Sequence, residues 1–163
     1  MDFAPHFTQH ELERSDPAMA HHLDNTCPPE LLENLAGTSQ LAELARTLLG
    51  CPLAVTSGFR SKAVNAIVAA GASSTGVHPM GLAVDVIPVG TDLDVPGAFA
   101  ALQAHPEFME QVDQLIVERG CIHIGRPRPG QKPRHELRAD RTIDGVRHYP
   151  LIGIWKAGQV VHA

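Results

Sequence analysis

The hydrophobic pattern of the first fifty residues is helical. Thr8 and Glu11 form a capping-box pattern that opens a short helix over residues 10–14. In residues 30–49 most apolar side chains recur at steps of three and four, and Gly50 follows as a C-terminal stop. We therefore expect the N-terminal third to pack one long helix against the core.

From residue 51 onward, short alternating or β-branched runs are interleaved with helical patterns and separated by glycines and prolines. Strands are predicted over 53–57, 82–89, 112–118 and 121–125, helices over 61–70 and 95–111, and a loop over 71–81. This order of elements, with helices first and then strands mixed with helices, predicts an α+β fold. We expect a small antiparallel sheet with helices packed mainly on one face.

The composition is that of a globular domain. The 163 residues are 44% hydrophobic and 19% charged, which predicts a single domain over 1–163. Within it we expect four parts: a helical part (1–50), a part that carries the candidate chemistry (51–125), a basic Pro/Gly-rich loop (126–148) and a strand-like C-terminal end (149–163).

Charge is distributed unevenly along the chain. Residues 1–118 carry four basic and fifteen acidic groups, whereas residues 119–163 carry nine basic and three acidic ones. The basic segment is predicted to be an irregular, exposed flap beside the candidate site, with affinity for anionic surfaces. A solvated loop that offsets the acidic part is the plainer alternative. Nucleic acid is not expected as a partner, because few aromatic residues interrupt the basic ones.

Membrane and disulfide classes are not favoured. No run of 18 apolar residues exists, so no membrane span is expected, and the N-terminus lacks the pattern of a secretion signal. We expect the chain to be synthesised and to fold in the cytoplasm. Cys27, Cys51 and Cys121 have no Cys-x-x-Cys spacing, which predicts reduced and mostly buried thiols.

Three polar residues occupy positions where apolar ones would be expected. Asp85 lies between valines on one predicted strand, His123 lies between isoleucines on another, and His78 lies in a glycine-rich loop. Each could be a satisfied structural residue, because a buried carboxylate must be paired, hydrogen-bonded or bound to a metal. Together, two imidazoles and one carboxylate supply three ligands to a tetrahedral zinc and leave one position open.

The surrounding motifs sharpen this hypothesis. The strings are SGFRS (57–61), STGVHPMGLAVDV (74–86) and DQLIVERGCIHIG (113–125), with HFTQHELERSD and DNTCPPELLENL near the N-terminus. Over roughly residues 6–126 they resemble the zinc D-Ala-D-Ala carboxypeptidase family, and its branch of phage endolysins and virion peptidases is the most similar. The resemblance implies the LAS-type murein peptidase fold with the zinc site at the sheet.

Site roles follow from the same resemblance. It implies that His78, Asp85 and His123 bind one Zn²⁺ per chain. The arginine of the SG[FY]RS motif falls on Arg60, which would hold the substrate carbonyl or carboxylate and stabilise the developing oxyanion. A structural ion pair with an acidic residue is the alternative for Arg60.

The general base departs from the better-known relatives. Many of them carry Glu or Asp three residues before the last histidine ligand, where this chain has Gly120. In the phage branch a glutamate closes the preceding strand, and Glu118 matches it. We predict Glu118 as the base, with Asp113 as the fallback. The alternative is a solvated turn glutamate paired with Arg119.

Two further positions bear on substrate and metal. Relatives often have serine two residues before the first histidine ligand, where this chain has Gly76, unless Ser74 or Thr75 substitutes for it. Cys121 should face the same side of its strand as His123 and lie near the metal. A buried thiol is favoured over a fourth ligand, because a filled fourth position would suppress hydrolysis.

The expected function is a zinc metallopeptidase that cleaves peptide bonds in the peptidoglycan stem, as a phage or prophage lysis enzyme. We expect a monomer without a signal peptide that reaches the cell wall after holin release or virion delivery. Two alternatives stay open: a non-catalytic zinc-containing module for cell-wall binding or a phage tail, and a cytoplasmic D-Ala-D-Ala dipeptidase. The first alternative is favoured by Gly76 and Gly120.

Overall fold

The computed structural model describes residues 2–68 and 76–163, which contain helices in the first two thirds and a sheet at the centre. The α-helices are α1 (Gln9–Glu13), α2 (Asp16–Ala20), α3 (Leu32–Leu49), α4 (Lys62–Val68), α5 (Val95–Leu102) and α6 (Pro106–Met109). Two short 3-10 helices cover Pro29–Leu31 and His78–Met80. The strands are β1 (Leu53–Ser57), β2 (Ala83–Pro88), β3 (Gln114–Val117), β4 (Ile122–Gly125), β5 (Glu136–Ala139), β6 (Arg141–Ile143), β7 (Val146–His148), β8 (Leu151–Lys156) and β9 (Gln159–His162).

Seven strands form the main sheet, in the order β1-β2-β4-β3-β5-β8-β9, and β6 and β7 form a separate hairpin. All neighbours in the main sheet are antiparallel except β3 and β5, which are parallel. The predicted α+β fold with a mostly antiparallel sheet is confirmed. The parallel pair was not foreseen.

Alternation along β2 and β4 gives the sheet two different faces. Val84, Val86, Ile122 and Ile124 are fully buried in the hydrophobic core, and helices α3 and α5 pack against these strands. Burial of each such side chain stabilises the fold by about 1.5–3 kcal/mol. Because neighbouring residues of a strand point to opposite faces, the residues between these four point away from this core.

Helix α3 covers the sheet much as its pattern predicts. Its buried side includes Leu35, Leu41 and Ala45. The helix ends at Gly50, whose φ of 65° lies in the left-handed region that glycine adopts without steric cost. The first residues of the predicted helix, before Leu32, form a 3-10 turn instead.

The prediction of one helix over 95–111 is wrong in its length. The structure has two helices, α5 and α6, with a break at His105, which is extended at φ −110° and ψ 96°. Pro106 follows, and a proline disfavours helical conformation in the residue before it. The sequence rule that a proline marks a helix boundary would have placed this break.

The prediction of an irregular loop over 126–148 is wrong beyond residue 135. The prolines of this segment end at Pro133, after which β5 joins the sheet beside β3. Strands β6 and β7 then form a hairpin whose turn residues Asp144 and Gly145 have φ of 50° and 76°. Two positive φ values are typical of a type I′ turn, and Asp-Gly is a common sequence for it. Strands β8 and β9 occupy the C-terminal end.

Candidate metal centre

The strand register brings two of the three candidate ligands together. Asp85 on β2 is directly opposite His123 on β4, and His123 is opposite Ile116 on β3. Ser57 at the end of β1 is opposite Asp85 on its other side. These residues form a row across the sheet, on the face opposite the valines and isoleucines of the core.

His78 reaches the row from the turn before β2. The 3-10 helix His78–Met80 ends at Gly81 in a left-handed conformation, φ 67°. The Nδ1 atom of His78 lies 2.7 Å from the carbonyl oxygen of Gly58 and must donate to it, because a carbonyl only accepts. The proton therefore sits on Nδ1, and the lone pair of Nε2 points into the site.

Gly58 is constrained by its other neighbour. A Cβ at this position would overlap the carbonyl oxygen of Leu12, at the end of α1, and that same oxygen accepts a 2.8 Å hydrogen bond from the Phe59 amide. The glycine of the SGFRS motif thus lets α1 pack close to the loop that orients His78.

Three donor atoms of this cluster fit a tetrahedral zinc ion. His78 Nε2 lies 3.2 Å from His123 Nδ1, His123 Nδ1 lies 2.8 Å from Asp85 Oδ1, and Asp85 Oδ1 lies 3.3 Å from His78 Nε2. With zinc–ligand bonds of about 2.0–2.1 Å, two ligands of a tetrahedron are about 3.3 Å apart. The triangle of donors is therefore the size of one tetrahedral face.

Protonation in the site also suits a cation. Burial lowers the pKa of His78, more than the nearby Asp85 raises it, so the imidazole is neutral near pH 7. Burial raises the pKa of the Asp85 carboxyl. Its contacts with His78 and His123 outweigh burial and hold this pKa well below its usual range. Two imidazole lone pairs and a carboxylate are a common zinc ligand set.

Arg60 lies against the carboxylate that faces the site. Its Nη2 donates to Asp85 Oδ2 at 2.9 Å and its Nε donates to Ser57 Oγ at 2.8 Å. Asp85 therefore offers Oδ1 to the donor triangle while Arg60 holds Oδ2. The alternative expected for Arg60, an ion pair with an acidic residue, is thus observed. The acidic residue is Asp85, which is itself a candidate metal ligand.

A groove of about 700 Å³ reaches the centre at Asp85. Its lining residues include the candidate catalytic side chains Arg60 and Glu118, as well as Cys121 and Arg147. Carboxylate oxygens of Glu118 and Asp85 lie within 4.8 Å of each other. Burial, followed by the charge of Asp85, raises the pKa of Glu118. Its ion-pair partner is Arg147, at 3.5 Å, rather than Arg119.

Cys121 lies close to Asp85 and Glu118. Its Sγ is within 4.8 Å of their carboxylate oxygens, so the thiol faces the same side of the sheet as His123. Burial raises the pKa of Cys121 to about 12. Without a bound metal, a thiol with this pKa stays protonated at neutral pH.

Asp113 is not brought into the site. Its carboxylate is 9% exposed and binds Arg134, which donates from its backbone amide at 2.8 Å and from Nη2 at 2.6 Å. It does not line the groove at Asp85. The candidate substitutes Ser74 and Thr75 lie outside the described residues.

Arg147 lines the groove, although sequence reasoning did not single it out as a candidate site residue. The irregular flap was expected to bring positive charge near the metal, yet no residue of 126–135 lines the groove and Arg147 of β7 does. The Asp144–Gly145 turn was the available signal, because it folds β7 back beside β6.

Comparison with known proteins agrees with the site. No curated protein matches the chain. No helix in the described ranges 2–68 and 76–163 is long and apolar enough to cross a membrane. The model of the Peptidase M15 family matches residues 5–125, which include all three candidate ligands, Arg60 and Glu118. The chain therefore belongs to the M15 family of zinc D-Ala-D-Ala carboxypeptidase-like metallopeptidases.

Proposed function

We propose that this protein is a zinc-dependent peptidase that hydrolyses peptide bonds in the peptidoglycan stem, with one ion held by His78, Asp85 and His123. The observation that supports this most is the triangle of donor atoms, 2.8–3.3 Å on a side, of which Asp85 also lines a groove. Zinc supplies Lewis acidity at such a site, which polarises a carbonyl and acidifies water.

Glu118 acts as the general base in this proposal. Its carboxylate lines the groove beside Asp85 and is 14% exposed. An Oε atom takes a proton from the attacking water as the water oxygen bonds to the scissile carbonyl carbon. The same oxygen returns the proton to the amide nitrogen as the C–N bond breaks, so the reaction consumes one water and leaves Glu118 ionised.

Arg60 stabilises charge on the substrate. It lines the groove, and its guanidinium is 16% exposed and already held by Ser57 and Asp85. A guanidinium fixed in this way costs little reorganisation when negative charge develops on the carbonyl oxygen. Arg60 therefore has two roles here, orienting Asp85 and donating to the oxyanion.

Three arginines and four acidic residues line the groove, so it carries no net positive charge of its own. Arg14 and Arg60 offer donors to free carboxylates, which peptidoglycan stems carry. The motif resemblance supports the further proposal of cell-wall lysis by a phage or prophage endolysin, and we propose that it acts as one monomeric domain over 1–163. The expected readouts are a single monomeric peak in light scattering and loss of turbidity of a cell-wall suspension.

The experiment uses purified protein on intact sacculi and on free D-Ala-D-Ala, with and without chelator. We expect new amino groups from sacculi, loss of this activity with chelator and recovery on addition of zinc. His123→Ala should lose the metal, and Glu118→Gln should keep it while turnover falls by about 10² to 10⁴.

The outcomes separate the alternatives. Cleavage of the free dipeptide but not of sacculi would identify a dipeptidase. Binding to sacculi with one zinc per chain and no product would identify a non-catalytic module. Full zinc content in His123→Ala would refute the ligand assignment.

A further inference from the structure

The β6–β7 hairpin ends beside the proposed base. Arg147 on β7 places Nη1 3.5 Å from Oε2 of Glu118, and both residues line the groove. The family match covers residues 5–125, so Arg147 comes from a part of the chain beyond it. The contact is a property of this chain's C-terminal segment.

Arg147 is itself held from behind. Its Nε and Nη2 donate to Oδ2 of Asp140 at 2.9 and 2.7 Å, and its guanidinium carbon lies 5.8 Å from the centre of the Tyr149 ring. A guanidinium fixed at two nitrogens has little freedom left, so the position of Nη1 beside Glu118 is well defined.

Both ends of this ion chain are tied to β3. Asp140 donates its backbone N–H to the carbonyl of Val117 at 2.9 Å, and Glu118 is the residue after Val117. The Asp140 side chain is 6% exposed. Asp140, Arg147 and Glu118 thus form a short, partly buried series of alternating charges that ends at the groove.

We propose that Arg147 is a positioning residue for Glu118, which links strand β7 to the proposed base. Arg147 fixes the orientation of the carboxylate that accepts the proton, because Asp140 prevents the guanidinium from following Glu118 when that side chain rotates. The inference rests on the proposed function of Glu118 as the base.

The test is a double-mutant cycle of Arg147→Met and Glu118→Gln, with kcat and KM measured on a soluble stem peptide. In the unaltered background Arg147→Met should lower kcat by about 10- to 100-fold, with KM within twofold, because misplacement of a catalytic group by about 1 Å costs this much. In the Glu118→Gln background it should have no further effect. Arg147→Lys should give an intermediate kcat, since lysine keeps the charge but not the planar fork.

Arg141→Met is the matched control. Arg141 lies exposed on β6 of the same hairpin and does not line the groove. The Arg141→Met substitution removes the same charge as Arg147→Met and should leave kcat, KM and zinc content unchanged. A loss of kcat in this variant equal to that of Arg147→Met would assign the effect to the hairpin's charge and overturn the inference.

Other outcomes also decide. Equal loss of kcat in both Glu118 backgrounds, or a rise in KM alone, would overturn the positioning role, the latter in favour of substrate docking. Loss of activity in Glu118→Gln with normal Arg147→Met refutes only this inference, whereas normal activity in Glu118→Gln refutes the base itself. Thermal unfolding gives a readout without substrate. The Tm loss caused by Arg147→Met should be smaller in the Glu118→Gln background than in the unaltered one. Equal Tm losses in the two backgrounds would contradict the ion pair between Arg147 and Glu118.

Discussion

Replacement of Arg134 by methionine decides whether Asp113 is a structural or a catalytic carboxylate. Asp113 is 6% exposed and accepts from the Arg134 side chain at Nη2 and Nε, at 2.6 and 3.1 Å. The variant keeps the backbone hydrogen bond from residue 134 but removes the opposite charge. If Asp113 only holds the segment after β4 against β3, the fold becomes less stable and the chemistry does not change.

The size of this effect follows from burial. Removal of one partner from a fully buried ion pair costs about 3–5 kcal/mol. The Arg134 side chain is 53% exposed, so solvent screens the pair and the expected cost falls to about 1–2 kcal/mol. At about 2–4 °C per kcal/mol for a chain of this size, Tm should fall by about 2–8 °C.

The assay is thermal unfolding together with kcat/KM on sacculi below the Tm of the variant. Lys132→Met is the control, because it removes the same charge from an exposed position two residues away. A loss of activity in Arg134→Met without any change in Tm would refute the reasoning and return Asp113 to the list of candidate bases.

Three further predictions concern the metal, the thiol and acid stability. Chelator should lower Tm by about 5–11 °C if free zinc is 100 times its Kd, a stabilisation of about 2.7 kcal/mol, and His123→Ala should show no such shift. Cys121→Ser should keep one zinc per chain in metal analysis, because His78, Asp85 and His123 already supply three donor atoms; loss of zinc would identify Cys121 as a ligand. Burial raises the pKa of Glu136, but hydrogen bonds from Arg138 and Gln114 outweigh burial, so the pKa lies below its usual value. Its stabilising contribution is therefore present above its unfolded pKa of about 4.5 and lost as pH falls, so Glu136→Gln should flatten the acid limb of the Tm profile.

The features of the fold and site that were predicted correctly have signals within a few residues of the sequence. β1 was predicted at its observed bounds, because a β-branched run is closed by Gly58. The candidate ligands were recognisable because Asp85 and His123 interrupt apolar alternation, and an unpaired polar residue there would be costly. These signals act over a few residues and do not depend on the rest of the fold.

Non-local pairing accounts for what was missed. β5 is four residues long, and its charged residues Glu136 and Arg138 alternate with Leu137 and Ala139, a pattern too short to predict a place inside the sheet. It is stabilised there by parallel pairing with β3, whose sequence position is more than twenty residues earlier. The salt bridges that satisfy its charged residues appear only after the chain has folded.

The positions of the candidate ligands are set mainly by parts of the fold that would not bind the metal. Asp85 and His123 owe their register to valines and isoleucines on the opposite face, because a one-residue slip would turn these candidate ligands into the core and the core residues outward. His78 is placed independently, by its turn and by the carbonyl of Gly58. Substitution of the candidate ligand His123 leaves both determinants intact. Loss of metal should therefore occur in a protein whose sheet is still paired, which is why metal content and unfolding can be measured as separate quantities here.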